Sequence, residues 1–243
     1  MIRYGLSLFI TLFFASTVLG NFTFSIGEHF RYKIKVFGIH VGYQDMFIKG
    51  YQTIKGRRLL YAVADTKSLP EIQSTFKYSL HDVMHVWMDP ATLLPVLIKK
   101  EIQEGNWKNS VTIEIDQSAK TAIYYDKRNT KGKRYTLPGP TLDLLSIIYY
   151  IRSRSVKPGE ELFVYYFDEK KGVQKTSIQI KQDRPLKAGS RLIPTNIFTQ
   201  MNGHGVRIRL TDDAYRIPLS ITVATFKVHG YSIDIVGTLV PSK

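Results

Sequence analysis

The stretch Phe30-Arg31-Tyr32-Lys33-Ile34-Lys35-Val36 decides the fold. Phe30, Tyr32, Ile34 and Val36 recur at every second place, and Arg31, Lys33 and Lys35 fill the places between. Successive side chains of an extended backbone point to opposite faces, so this run has one apolar and one basic face. It reads as a strand packed on one side and wetted on the other. Gly38 and the stretch to Val41-Gly42 are expected to turn the chain, with Tyr43 to Tyr51 returning beside it.

The same alternation continues along the chain. Strands are expected over Arg58 to Asp65, Asp82 to Met88, Val96 to Gln103, Ser110 to Asp116 and Thr121 to Tyr125. Later ones are expected over Leu162 to Phe167, Thr176 to Gln182, Asn196 to Gln200, Val206 to Leu210, Leu219 to Val228 and Ser232 to Leu239. Glu104-Gly105-Asn106, Lys131-Gly132, Lys171-Gly172, Asn202-Gly203 and His229-Gly230 punctuate them as turns. Lys127 to Arg134 reads as a charged, solvated loop.

One segment breaks the pattern. Thr141 to Arg154 is apolar on nearly every side, follows Pro138-Gly139-Pro140 and stops before Pro158-Gly159. Thr141 suits the cap of a helix, Asp143 its positive end, and Arg152 and Arg154 its negative end. A helix apolar all round belongs inside. The expected architecture is therefore mostly β: a curved antiparallel sheet or open barrel wrapped around one central helix at about 141–154. Two successive β domains are the alternative that length allows. No repeat or low-complexity linker divides the chain, which favours a single domain over residues 21–243.

Residues 1–20 read as a secretory leader. Arg3 gives a positive start, Leu6 to Phe14 is apolar apart from Ser7 and Thr11, and Val18 and Gly20 suit cleavage before Asn21. The stretch is shorter than the ~20 apolar residues a membrane span requires, and no later stretch qualifies. Export is thus the expectation. Removing the leader takes away Arg3 and no acid, so the remainder keeps nearly all of the net charge of +14. That balance favours anionic surfaces, and export turns the expectation from nucleic acid toward lipid or an anionic envelope polymer. With no cysteine, disulfides, thiolate nucleophiles, cysteine zinc sites and an acylated cysteine after the leader are all excluded. The composition is 44% hydrophobic, with 15 tyrosines and 13 phenylalanines, which suffices for a core without staples.

Four blocks, in order, carry a resemblance. Phe24-Ser-Ile-Gly27-Glu28 leads through Tyr32 to Gly38-Ile39-His40-Val41-Gly42. Trp87-Met88-Asp89 follows with Thr92-Leu93-Leu94-Pro95. Asp143-Leu-Leu-Ser146-Ile-Ile-Tyr149-Tyr150-Ile-Arg152 comes with Pro158-Gly159, and Leu210-Thr211-Asp212-Asp213-Ala-Tyr-Arg216-Ile217-Pro218 closes the series. Together they resemble the bacterial exported family called domain of unknown function 3108, from Phe24 to about Ile221. The resemblance implies an envelope, periplasmic location and a β-rich fold. It implies no activity and carries over no catalytic residue.

Candidate chemistry is sparse. Asp212 and Asp213 with Arg216 form the most polar cluster, and paired carboxylates suit acid–base work or a cation. Neighbouring side chains of an extended chain diverge, however. The favoured reading is a turn in which the aspartates accept backbone hydrogen bonds and Arg216 pairs with one of them. A hydrolase acting through Asp212 or Asp213 is the remaining enzymatic alternative. His81 and His85 suit a metal on a helix but lie ~13 Å apart on a strand, so no metal is expected. His204, between Gly203 and Gly205, reads as a loop histidine. No nucleophile elbow, HExxH or phosphate loop is present, and no cofactor is expected. The expected function is non-enzymatic: an envelope protein binding an amphiphilic or anionic component. Its cavity would lie between the helix (Leu145, Ile148, Tyr149) and the concave sheet face (Phe30, Tyr32, Ile34). The alternative is a scaffold protein that binds an envelope protein along an unpaired sheet edge.

Overall fold

The computed structural model describes residues 25–241 apart from 170, 189, 202–204 and 229–230. The expected leader over residues 1–20, His204 and the glycine turns at Asn202-Gly203 and His229-Gly230 lie outside the described residues. The chain forms β1 (His29–Val36), β2 (Ile39–Ile54) and β3 (Arg57–Ser68), then the short helix α1 (Pro70–Phe76). Next come β4 (Leu80–Met88), β5 (Pro95–Glu104), β6 (Trp107–Asp116), β7 (Thr121–Tyr125) and β8 (Lys133–Thr136). After β9 (Thr141–Leu142) and helix α2 (Leu144–Arg152) follow β10 (Glu161–Asp168), β11 (Gly172–Ala188) and β12 (Arg191–Gln200). β13 (Arg207–Thr211), β14 (Pro218–Val228) and β15 (Tyr231–Leu239) complete the order.

Among the described residues fifteen strands join one sheet, running β8 to β1 and then β15 back to β9. Pairing is antiparallel throughout except between β9 and β10. The two halves meet where Tyr32 on β1 faces Leu239 on β15. Among the described residues the sheet is not closed, since β8 and β9 have no hydrogen-bonded strand beyond them. Side chains nevertheless connect the region of β8 to that of β10. Tyr135 on β8 meets the Phe167 ring edge-on at 5.0 Å. Gly172 is needed there twice over, because its φ is +76° and a Cβ would come within 2.7 Å of the Tyr135 ring. No helix among the described residues is long and apolar enough to cross a membrane.

The alternation read from Phe30 to Val36 sets the inner face. Tyr32, Met46, Ile48, Ala62, Val86, Met88 and Ile98 are buried from β1 to β5, together with Ile178, Phe198, Ile208 and Leu210 from the second half. Helix α2 contributes Leu145, Ile147, Ile148, Tyr149 and Ile151 to the same cluster.

Helix α1 is not among the expected elements, and several strands run longer than expected, β11 and β12 among them. Three other boundaries differ for a local reason. The helix begins at Leu144, because Thr141-Leu142 pairs with Tyr165-Tyr166 as a strand and Asp143 takes the cap. The Asp143 side chain accepts from the amides of Leu145 and Ser146, while the Ser146 hydroxyl accepts from the Asp143 amide. Such a reciprocal box outcompetes a lone threonine upstream. The first turn is only Phe37-Gly38, with Ile39 to Gly42 already in β2, because a bulge between Ile34 and Lys35 absorbs the offset. The charged loop also ends earlier than expected, since Lys133 and Arg134 pair with Tyr124 and Ile123 as part of β8.

Candidate functional site

Small residues on the inner face leave a void where larger ones would pack. Toward one end of the β1–β4 sheet the inward side chains are large and closely packed: Tyr32, Ile48, Leu60, Val86 and Met88. Toward the other end the inner face carries Gly42, Ala64, Thr66, Ser68 and Gly237. A Cβ on Gly42 would lie 2.3 Å from the Lys67 carbonyl, so only glycine lets β2 and β3 pair so closely here. The result is a cavity of about 620 Å³. Its floor is Leu145 and Ile148 of α2, and Ile34, Met46, Met84, Ile221 and Val223 form apolar walls. The two methionines are unbranched and polarizable, so this part of the wall can repack against irregular apolar shapes.

The mouth lies where β1 turns into β2 and where β3 passes through α1 to β4. Val36, Val41, Ile72, Tyr78 and Leu80 line it. Polar groups there are few and mostly tied down. Gln44 donates to the Thr66 hydroxyl at 3.0 Å, and Ser68 Oγ accepts from the Leu80 amide at 3.0 Å. Asp82 and Glu104 are the acids of the lining. Burial pushes the Asp82 carboxyl above its ordinary range, Glu104 adds to that push, and the Gln103 amide opposes it.

The far end is sealed by charge and hydroxyl pairs. Arg152, 4% exposed, binds Glu28 through two hydrogen bonds of 2.6 and 2.8 Å. It also donates to the carbonyls of Arg216 and Tyr215. The guanidinium lies over the rings of Phe30 and Tyr149, at 5.2 and 5.7 Å from their centres. Tyr32 donates its hydroxyl to the Pro218 carbonyl at 2.8 Å. Burial drives the phenol of Tyr149 far above its ordinary range.

Of the six residues expected around a cavity, Ile34, Leu145 and Ile148 line this one. Phe30, Tyr32 and Tyr149 stand beyond it in the sealed end. Asp212 and Asp213 lie in the turn joining β13 to β14, at that same end, and both are exposed. Asp213 Oδ1 accepts from the amides of Tyr215 and Arg216 and from the Thr211 hydroxyl, each at 2.9 Å. Arg216 sends its guanidinium to the Ile151 and Arg154 carbonyls at the end of α2. His81 and His85 share β4 but go to separate partners, His81 to Asp65 and His85 to the Tyr61 hydroxyl. Sequence reasoning missed Gln44, Met46, Ala64, Asp82 and Met84, although each keeps the even-numbered register that marks the inner face of β2, β3 and β4. It also missed Glu28 as the partner of Arg152. No local signal links residues so far apart in the chain.

A second, smaller cavity of about 270 Å³ lies against the other side of α2, where the Lys100–Glu169 ion pair meets Asp143, Ile147 and Gln200.

Solved structures similar to this chain include two from other families of unknown function. One is a beta-barrel-like protein of domain of unknown function DUF1849 from Brucella abortus. It is 7% identical, with a TM-score of 0.56 over 88% of this chain and 96% of that one. The other is a DUF1089 family protein from Pseudomonas aeruginosa, 8% identical, with a TM-score of 0.43 over 74% of this chain and 89% of that one. The first likeness concerns the fold alone. No curated protein matches. The family model for proteins of unknown function DUF3108 matches residues 31–231, most of the strand-bearing chain, and the chain belongs to that family.

Proposed function

We propose that this protein is a non-enzymatic binding protein of the cell envelope that holds the acyl chain of an amphiphile between α2 and the inner face of the sheet. The observation that carries the reading is the cavity of about 620 Å³ with apolar walls, sealed at one end and open at the other. Its volume falls within the ~300–1,000 Å³ of small-molecule sites, whose linings are apolar with a few polar groups. On this reading the sheet curls around α2 as a central helix, and the helix serves as the floor of the site. The expected leader over residues 1–20 and the exported location that the resemblance implies support an envelope location.

The rivals have less to stand on. Among the described residues an edge-binding scaffold would offer only β8 and β9, four and two residues long, as free edges. A hydrolase working through Asp212 or Asp213 would place its carboxylates at the sealed end, with Asp213 already engaged by two backbone amides.

Native mass spectrometry of protein purified without detergent tests the reading. A bound amphiphile of one acyl class, lost on organic extraction and regained on adding it back, is expected. Extracted protein that takes up no amphiphile of any headgroup would contradict it.

A further inference from the structure

The open end of the cavity carries an exposed aromatic rim. Phe37 is 70% exposed, Phe76 67%, Trp107 47% and Tyr78 43%. They come from three neighbouring connections at one end of the sheet: the β1–β2 turn, the α1 segment and the start of β6. Backbone bonds join these connections into one surface. The Leu69 amide donates to the Val41 carbonyl at 2.8 Å, and the Gly105 amide to the Ser79 carbonyl at 2.7 Å. Helix α1 buries none of its own residues. Large apolar side chains collected on one exposed rim mark a contact surface rather than a packing accident.

Charge selects the occupant. Lys35, Lys77 and Lys108 lie at this end, and the loop from Lys127 toward β8 joins them, its Lys127 ammonium donating to the Lys108 carbonyl at 3.0 Å. Glu71, Glu104 and Asp126 are the acids among them, and the basic side chains of these segments outnumber the acidic ones. Aromatic rings at headgroup depth with lysines beside them are the side-chain set of a bilayer interface. We infer that this rim docks on an anionic phospholipid surface and aligns the cavity mouth with the bilayer. The inference rests on the acyl-binding reading and extends it: a chain passes from the bilayer to the cavity without crossing water.

The molecule carries its own reporter. Of its two tryptophans, Trp87 is buried and hydrogen-bonded to Gln52, whereas Trp107 stands on the rim. Vesicles of phosphatidylglycerol and phosphatidylethanolamine should shift the emission to the blue, and brominated acyl chains should quench it. High salt should weaken the effect, as screening requires. The pair Phe37→Ser and Phe76→Ser should lower vesicle partitioning about tenfold or more, from the apolar burial lost, with an unchanged melting temperature. Trp107→Phe should abolish the shift while co-sedimentation persists. Emission that no vesicle moves, or equal partitioning of the double variant, would overturn the inference. So would a protein partner crosslinked to this rim while vesicles leave Trp107 unmoved. An acyl-probe titration without vesicles separates the two readings. Probe uptake without vesicle binding overturns the docking alone, and vesicle binding without probe uptake overturns the cavity reading on which it rests.

Discussion

Asp213 holds its turn with one oxygen, which gathers two backbone amides and the Thr211 hydroxyl. Asp213→Ala should therefore cost about 1 kcal/mol, as loss of such bonds does, and leave amphiphile binding as it was. Denaturant titration beside one binding assay checks both halves. An Asp213→Asn variant that keeps its stability and loses binding would make this turn a functional site. Asp82 supplies a pH signature. Burial, with Glu104 beside it, raises its carboxyl in the folded state above the value it has when unfolded. The fold thus binds that proton more tightly, and the stability linked to it is present at low pH and lost as pH rises through the raised value. Compared with Asp82→Asn, the wild type should lose melting temperature as pH rises above about 4, until the carboxyl has ionised in the folded state as well. Parallel curves for the two proteins would contradict the raised carboxyl.

At the scale of the element, α2 is the most sensitive part of the chain. Ile148 is 4% exposed at the cavity floor, and Ile148→Asp buries a charge with no partner. Thermal melting should show Ile148→Asp severely destabilised and Lys131→Asp nearly unchanged, because Lys131 lies on an exposed turn. Equal effects would mean that the helix is dispensable. The strands were legible because period-two alternation is local. The expected Thr121 to Tyr125 coincides with β7, and Phe30 to Val36 differs from β1 by one residue. β8 and β9 were not legible, since two to four residues are too short to display a period and their pairing is decided by distant chain. The start of α2 was misplaced because Thr141 and Asp143 are both good caps, and only tertiary pairing of Thr141 with β10 decides between them.

Over the whole molecule, what makes a site is a set of small inner-face residues brought together by register. Gly42 faces Ser68 across β2 and β3, and Gly237 faces Ile34 across β15 and β1. Each is an ordinary strand position in the sequence, and the void appears only when the two halves of the sheet are joined at β1 and β15. The apolar helix and the inner face of the sheet were readable from patterning, so Ile34, Leu145 and Ile148 could be named. The sealed end, where Glu28 meets Arg152 from 124 residues away, could not. The central proposal is that the cavity takes an acyl chain. Its most direct test is titration of extracted protein with a fluorescent long-chain acyl probe, comparing the wild type with Ala64→Leu and Gly237→Val. Both substitutions add apolar bulk to the cavity wall, and Gly237 has room for a Cβ, its nearest neighbours lying 3.5 Å away. Saturable uptake of one probe per chain by the wild type, and markedly weaker uptake by both filled variants at similar melting temperatures, is the predicted result. Uptake that is absent in the wild type, or equal in the filled variants, would contradict it.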